Sequence, residues 1–355
     1  MTSGLSWLRA IALIVILLLA LVSCGGPSPQ PEGVQPLLPK SELEKETGVN
    51  VIATQDLGFQ EVPDEPAASE KAESEPTVGV IASRNFGSEV VLDKLAVLAE
   101  GESALEVLQR LTTVETKYGG GFVAGINGIC SEYPKVRKDW FFYVNGIMGN
   151  VGAGSYKLRP DDIEQWDFHG WDFNAFVPAI IGSFPQPFLS GYGGKVQPTV
   201  IVYEEGFGEA AEKLRDTIAR LGVEGISLQP SLSDPEREQC HLILVGTADF
   251  EPIAELNKNY RKLGFLLKFK DDGAVIFDAH GKETRIASCG VIQATQNPWN
   301  PKGIGAAENT AWVISGTDQA HVRDAVDALI NQPDMLRCAF AVALIDGKVV
   351  KLPVE

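Results

Sequence analysis

The chain has 355 residues, 45% of them apolar, and a formal net charge of -17. This length and apolar content suffice for two ordinary domains with tails. Because phosphate binding needs a basic face, the strong negative charge argues against nucleic acid as a partner. The composition therefore favours a folded, acidic protein that does not act on DNA or RNA.

The N-terminus has the pattern of a targeting segment. Arg9 precedes an unbroken apolar run over 11–22, which is short for a membrane span but typical of a signal peptide. The run ends in Leu-Val-Ser-Cys at 21–24, which resembles a bacterial lipobox. We predict a signal peptide over 1–23 and a lipid on Cys24 that anchors the protein outside the cytoplasm. An uncleaved signal anchor with an incidental cysteine is the alternative.

Residues 24–76 predict a disordered stalk. Prolines interrupt this segment, and Glu, Ala and Ser dominate 65–75. Such a composition buries too little apolar surface to offset the chain entropy lost on folding. We expect this stalk to be flexible and acidic, with one short ordered segment at 49–53.

Residues 77–172 predict a small α+β domain. Strands are expected over 77–83, 90–98 and 122–126, and a helix after 103, where Ser103 and Glu106 form a capping box. Two aromatic strands follow at 140–144 and 164–168, the first ending in an Asn-Gly turn. A hairpin, one helix lying across the sheet and further strands is the β-grasp arrangement.

Five segments of this domain together carry a resemblance to a known family, namely 101–108, 121–129, 140–146, 151–156 and 161–166. In this order they resemble the domain of unknown function related to the C-terminal domain of transcobalamin and intrinsic factor. The resemblance implies a β-grasp module of a bacterial surface lipoprotein that binds a small ligand, cobalamin in some relatives. It does not imply catalysis.

Aromatic side chains on the predicted sheet are the candidate ligand-binding residues. Alternation puts Trp140 and Tyr143 on opposite faces, so both join one groove only if it wraps an edge of the sheet. The candidate groove comprises these residues: Trp140, Tyr143, Trp166, His169 and Trp171. Packing in the core or against a second domain is the alternative reading of the same side chains.

Two polar features accompany the aromatic strands. His169 is a candidate ligand for a metal or a corrinoid cobalt, or else a hydrogen-bonded surface group. The carboxylates of Asp161, Asp162, Glu164 and Asp167 predict a solvated turn, because they lack the spacing of a calcium loop. We therefore expect no resident metal or cofactor.

Two segments follow the predicted β-grasp domain. Residues 173–197 are rich in Pro, Gly and aromatic side chains, and we expect this bridge to pack against one or both domains. Residues 198–355 alternate predicted strands and helices, which is typical of an open α/β sheet. Strands are expected at 199–203, 240–246, 265–269, 274–277, 284–291 and 310–316. Pieces at 244–247, 297–301 and 313–318 resemble flavodoxin-like domains of envelope proteins.

Catalytic motifs are not found in the sequence: we see no His-Glu-x-x-His, Gly-x-Ser-x-Gly or P-loop. Cysteines 130, 240, 289 and 338 have no metal-binding spacing. Outside the cell, Cys240, Cys289 and Cys338 could supply a disulfide, with Cys130 left free or bridging the domains. Buried thiols are the alternative.

Three functions compete at this point. The first is a lipid-anchored, extracytoplasmic, non-catalytic module that binds a small ligand, cobalamin-type among them, or serves adhesion or a transport system. The second is a structural or partner-docking envelope protein whose aromatic sheet face packs between domains. The third is an enzyme with a site at the strand ends around Glu204, Glu205, Asp249 and Asp318.

Overall fold

The computed structural model describes residues 75–174 and 176–354. The predicted signal peptide, Cys24 and the predicted stalk up to residue 74 lie outside these residues. Within the described part of the chain, no helix is long and apolar enough to cross a membrane.

The first part of the described chain forms a mixed α+β layer structure. Its elements are β1 (Thr77–Arg84), β2 (Glu89–Val97), α1 (Ala104–Leu111), β3 (Val114–Lys117), β4 (Phe122–Ile126), β5 (Ile129–Cys130), β6 (Lys138–Val144), β7 (Ile147–Met148) and β8 (Ile163–Gly170). A 3₁₀ turn occupies Tyr118–Gly120. The predicted hairpin, helix and aromatic strands are therefore confirmed as elements.

Five of these strands form the N-terminal sheet, in the order β2-β1-β8-β6-β7. Strand β1 is antiparallel to β2 and parallel to β8, while β6 is antiparallel to both β8 and β7. Helix α1 buries Leu105 and Leu108 in the core on one face of this sheet. The predicted capping box is confirmed, because Ser103 accepts from the Glu106 N–H and Glu106 accepts from the Ser103 N–H.

Strand β4 does not join the N-terminal sheet, where the prediction placed it. It pairs with β3 and β5 in a separate three-stranded sheet. The two-residue turn at 127–128 folds β5 back onto β4, so the partners of β4 are its neighbours in sequence. Strands β3 and β5 are short and were not predicted.

The second part of the described chain contains strands and helices in alternation, followed by hairpins. Its elements are β9 (Thr199–Tyr203), α2 (Gly208–Arg220), β10 (Ile226–Gln229), α3 (Asp234–Gln239), β11 (His241–Thr247), α4 (Glu251–Lys258), β12 (Leu267–Lys270), β13 (Gly273–Phe277), β14 (Glu283–Ile286), β15 (Gly290–Gln296), β16 (Thr310–Gly316), α5 (Gln319–Asn331), β17 (Ala341–Ile345) and β18 (Lys348–Leu352). A second 3₁₀ turn occupies Pro333–Leu336.

Seven strands form the C-terminal sheet, in the order β10-β9-β11-β16-β15-β17-β18. The first four are parallel, and the last three continue the sheet in antiparallel pairs. Helices α2 and α5 pack on one face, and α4 packs on the other. The sheet is therefore mixed. The buried apolar runs predicted its parallel part, and the antiparallel strands β15, β17 and β18 extend it.

The single strand predicted over 284–291 is wrong. Strand β14 ends at Ile286 and pairs with β13, whereas β15 begins at Gly290 and lies in the C-terminal sheet. A Cβ at Gly290 would lie 2.6 Å from the carbonyl oxygen of His321. The chain changes sheets here, and glycine lets β15 approach the start of α5 closely.

The face of the N-terminal sheet opposite α1 is covered by the second part of the chain. Phe86 and Tyr143 from the first part share one apolar cluster with Leu267, Phe340 and Ala341 from the second. The bridge residues Val177 and Ile180 belong to the same cluster, and Phe188 is buried beside the C-terminal sheet. We call this shared cluster the seam.

The thiols follow the buried-thiol alternative rather than the disulfide. Cys240, Cys289 and Cys338 are buried, and none of them is bridged to another cysteine that the structure describes. Burial raises the pKa of the Cys289 thiol to about 11, which keeps it protonated and unreactive.

Candidate functional site

The two predicted tryptophans of the aromatic strands lie in the core beneath α1. Trp140 and Trp166 are only 5% and 3% exposed, and they pack with Leu105 and Leu108 of the helix. The Trp140 indole donates to the Ile129 carbonyl over 2.8 Å. These side chains therefore have no surface to offer a ligand.

Tyr143 and His169 lie on the opposite face, as the strand alternation predicts, but the seam covers them. Their exposures are 0% and 1%. Phe340 contacts both rings edge-on, with centroid distances of 5.6 Å to Tyr143 and 5.2 Å to His169. Burial raises the pKa of the Tyr143 hydroxyl well above its usual range, and the nearby Asp167 carboxylate adds to this.

His169 is fixed by stacking and by a buried carboxylate. Its ring lies between Phe86 and Phe141, at centroid distances of 4.3 and 4.2 Å. Its Nδ1 is 2.8 Å from Oδ1 of Asp167. His169 is thus a buried, hydrogen-bonded group rather than the surface group of the alternative reading.

Asp167 is the polar centre of the seam. Its carboxylate accepts from the Ser83 hydroxyl over 2.6 Å and from the backbone N–H groups of Phe86 and Gly87 over 2.9 and 2.8 Å. Phe86 and Gly87 both have positive φ, at 59° and 79°, so their successive N–H groups converge on the carboxylate. Asp167 thereby holds the β1–β2 turn in a conformation that a phenylalanine rarely adopts.

Trp171 is the one predicted site residue that is partly exposed. Its indole donates to Oδ2 of Asp139 over 2.7 Å, and Tyr133 stacks nearby at 6.1 Å between centroids. The Arg137 guanidinium lies 5.3 Å from the ring centroid. Trp171 belongs to a small surface cluster at one end of β8.

The structure does not bring the five candidate residues together in one groove. The five candidate residues divide between the α1 core, the seam and a surface cluster, because alternate residues of β6 and β8 point to opposite faces and both faces are covered. Core and domain packing, the alternative reading, accounts for four of the five.

The solvated turn expected for the acidic residues is also corrected, since only Asp161 of the four is exposed. Burial raises the pKa of Asp162 to about 6, and hydrogen bonds from the Asn145 amide and the Arg159 N–H act against this. Burial raises the pKa of Glu164 from 4.5 to about 8. Glu164 accepts one bond, from the Trp166 indole over 2.5 Å, and its second oxygen has no partner among the residues that the structure describes.

Two of the carboxylates predicted at the strand ends of the C-terminal sheet make local hydrogen bonds. Oε2 of Glu204 accepts from the Thr247 N–H over 2.7 Å, so this side chain ties the end of β9 to the end of β11. Asp318 accepts from the His321 N–H and caps α5. Among residues 75–174 and 176–354, no group of three or more His, Cys, Asp or Glu side chains is placed to hold a metal ion.

A different set of apolar side chains is exposed, at the end of the three-stranded sheet β3-β4-β5. Tyr118 and Phe122 are 51% and 36% exposed, and their rings meet edge-on at 6.3 Å. Val151, 47% exposed, lies on the adjacent loop, where a Cβ on Gly152 would be 3.7 Å from the Gly121 carbonyl oxygen. We call Tyr118, Phe122 and Val151 the apolar tip.

Sequence reasoning missed the apolar tip. It included Phe122 and Val151 in segments that carry the family resemblance rather than among the candidate site residues, and it gave Tyr118 no role. The available signal was the position of Tyr118 and Phe122 on either side of three glycines. A strand hairpin with such a turn leaves its flanking aromatics without a covering element.

Comparison with known proteins gives a match for one part of the chain. Residues 101–170 match the family described as domain of unknown function DUF4430. No curated protein matches the chain. The matched range contains α1 and every strand from β3 to β8, and it includes the whole apolar tip.

Solved structures show similarity over a similar share of the chain. Haptocorrin in complex with Cbi is 20% identical, with a TM-score of 0.24, and the match covers 28% of this chain and 26% of haptocorrin. A protein of Ruminococcus gnavus described as metal-binding is 16% identical, with a TM-score of 0.22, and the match covers 27% of this chain and 98% of that protein. The chain thus spans about a quarter of the length of haptocorrin, and the family match of residues 101–170 is the more specific of these similarities.

Proposed function

We propose that this protein is a lipid-anchored, extracytoplasmic binding protein whose non-catalytic module contacts a small ligand through the apolar tip. One observation carries the proposal: two glycine loops lie side by side and hold three large apolar side chains in solvent. Exposed apolar groups on a rigid scaffold are favourable contacts for a ligand with an apolar face.

The fold assignment that accompanies this proposal is a β-grasp domain over 77–172 and a flavodoxin-like α/β domain over 198–355. The strand order β2-β1-β8-β6-β7, with β1 parallel to β8 and one helix across the sheet, supports the first. The parallel order β10-β9-β11-β16 with helices on both faces supports the second.

The anchor and the location are supported by sequence alone. The apolar run over 11–22 and the cysteine at 24 after a small residue have the pattern of a lipoprotein signal. Feeding cells labelled palmitate tests the anchor. We expect label on the wild-type chain in the membrane fraction and none on Cys24→Ala; label that persists in Cys24→Ala overturns the anchor.

The ligand class follows from the resemblance of 101–166 to transcobalamin-type domains, and a corrinoid is therefore the first probe. Cobinamide and hydroxocobalamin are titrated into the full mature chain, with visible absorption and thermal shift as readouts. Tyr118→Ala and Phe122→Ala should each weaken binding about three- to tenfold, because an aromatic contact contributes roughly 0.5–1.5 kcal/mol. Val196→Ala, at an exposed apolar residue outside the tip, is the matched control.

If neither corrinoid changes the spectrum or the melting temperature, the cobalamin-type ligand is excluded. If binding survives in both tip variants, the apolar tip is excluded as the contact surface.

A structural or partner-docking envelope protein is the second candidate. The observation that favours it is the seam, where Phe340 packs on Tyr143 and His169 and closes the aromatic face of the N-terminal sheet.

A further inference from the structure

The chain contains two Asn-Gly pairs, and the structure places them in turns of the same geometry. Asn127-Gly128 joins β4 to β5, and Asn145-Gly146 joins β6 to β7, each as a two-residue hairpin turn. The φ angles are 50° and 76° in the first turn and 54° and 75° in the second. The backbone N–H of each asparagine also donates to a neighbouring carbonyl, over 2.9 Å in both cases.

The surroundings of the two turns differ completely. Asn145 is fully buried, and its amide nitrogen donates to Oδ1 of Asp162 and to the Gly191 carbonyl, each over 2.7 Å. Its amide oxygen accepts from the Ile163 N–H over 2.8 Å. The side-chain amide of Asn145 is thus held by three hydrogen bonds and cannot turn toward its own backbone.

The glycine of the buried turn is also enclosed. A Cβ at Gly146 would lie 2.6 Å from the Ile180 carbonyl oxygen, and Gly146 accepts from the Ile180 N–H over 2.8 Å. Around Gly128, by contrast, no atom of the described residues other than its own chain neighbours lies within 4 Å of an added Cβ. Asn127 is exposed, and its side chain has no hydrogen bond to any residue that the structure describes.

We propose that Asn127 is a site of spontaneous deamidation and that the fold protects Asn145 from the same reaction. The backbone nitrogen of Gly128 attacks Cγ of Asn127, a C–N bond forms, and the side-chain nitrogen leaves as ammonia. Water then opens the resulting cyclic imide at one of its two carbonyls. The product is aspartate or isoaspartate, so the net change is gain of water and loss of ammonia.

Glycine at the second position favours this reaction, because a side chain there would hinder the approach of the nitrogen to Cγ. The reaction also needs a freely rotating amide and access for water, and only the exposed turn offers both. The inference is independent of the proposed ligand-binding function. Its consequence is one additional negative charge on a chain whose net charge is -17, beside the segment that carries the apolar tip.

The test uses the intact folded chain, incubated in mildly alkaline buffer and digested at acidic pH for mass spectrometry. The peptide with Asn127 should acquire the mass of the acid at least about tenfold faster than the peptide with Asn145, because the buried turn reacts only from locally opened molecules. In denaturant the two rates should become similar. Asn127→Gln should remove the fast conversion and leave the slow one unchanged.

Two results overturn the proposal. One is equal conversion of both asparagines in the folded chain, which would mean that burial gives no protection. The other is an Asn127 peptide that remains intact in the folded chain while it converts in denaturant, which would mean that the exposed turn is itself protective.

Discussion

Replacing Glu164 with glutamine tests how much folding stability the protein loses when a carboxyl group in the core of the N-terminal sheet ionises. Glu164 is fully buried beneath α1 and accepts one hydrogen bond, from the Trp166 indole, while no group in the described part of the chain bonds to its second oxygen. Glutamine keeps the shape and can keep the bond from Trp166, but it cannot ionise. The substitution therefore isolates the free energy of ionising this group.

The size of the effect follows from the pKa. Burial raises the pKa of Glu164 from 4.5 to about 8, so between these values the folded chain holds a proton that the unfolded chain has lost. The folded state binds more protons, and wild-type stability must fall as pH rises through this window. At about 1.4 kcal/mol for each pKa unit, the full loss is on the order of 4–5 kcal/mol.

The assay is urea unfolding of the wild type, Glu164→Gln and the control Glu205→Gln at acidic, neutral and alkaline pH. The difference between Glu164→Gln and the wild type should be smallest near pH 4 and should grow in favour of glutamine by roughly 4 kcal/mol by pH 8–9. The exposed control should track the wild type throughout. A difference for Glu164→Gln that does not change with pH would refute a protonated, buried Glu164.

Two further substitutions test the seam and the C-terminal sheet. Asp167→Asn should destabilise the chain by about 2–4 kcal/mol in urea unfolding at neutral pH, because the buried donors of Ser83, Phe86 and Gly87 lose their anionic acceptor; an unchanged midpoint would contradict this. Burial lowers the pKa of His241 to about 3, so the unfolded chain binds the extra proton below its usual value of 6.5 and stability must fall with acidity. Between pH 7 and pH 5, the free energy of unfolding of His241→Gln should therefore fall by about 2 kcal/mol less than that of the wild type. An equal fall in both proteins would refute the lowered pKa of His241.

The local elements were largely predictable from the sequence, because each depends on neighbouring residues. The capping box at Ser103 fixed the start of α1, and the Asn-Gly pair at 145–146 fixed the β6–β7 turn. Alternation placed Trp140 and Tyr143 on opposite faces, as the structure has them. These features require no knowledge of the remainder of the chain.

What covers each face could not be predicted, because it depends on residues far apart in sequence. Phe340 packs on Tyr143 and His169, which precede it by almost 200 and by more than 170 positions. The sequence does not indicate contacts over such separations, so the covered face was predicted to be an open groove. Burial of Asp162 and Glu164 is hidden for the same reason, since a run of carboxylates ordinarily signals solvent. Short strands such as β5, with two residues, carry too little periodicity to detect.

The close packing of Cys338 against two glycines has a consequence for how this protein can be divided. A Cβ at Gly87 would lie 1.8 Å from the Cys338 carbonyl oxygen, and one at Gly182 would lie 2.7 Å from the Cys338 carbonyl carbon. The backbone near the C-terminus is thus inserted between the first hairpin and the bridge. A fragment ending at residue 172 would leave Phe141 and Tyr143 in water, and we expect it to aggregate rather than behave as a transplantable module.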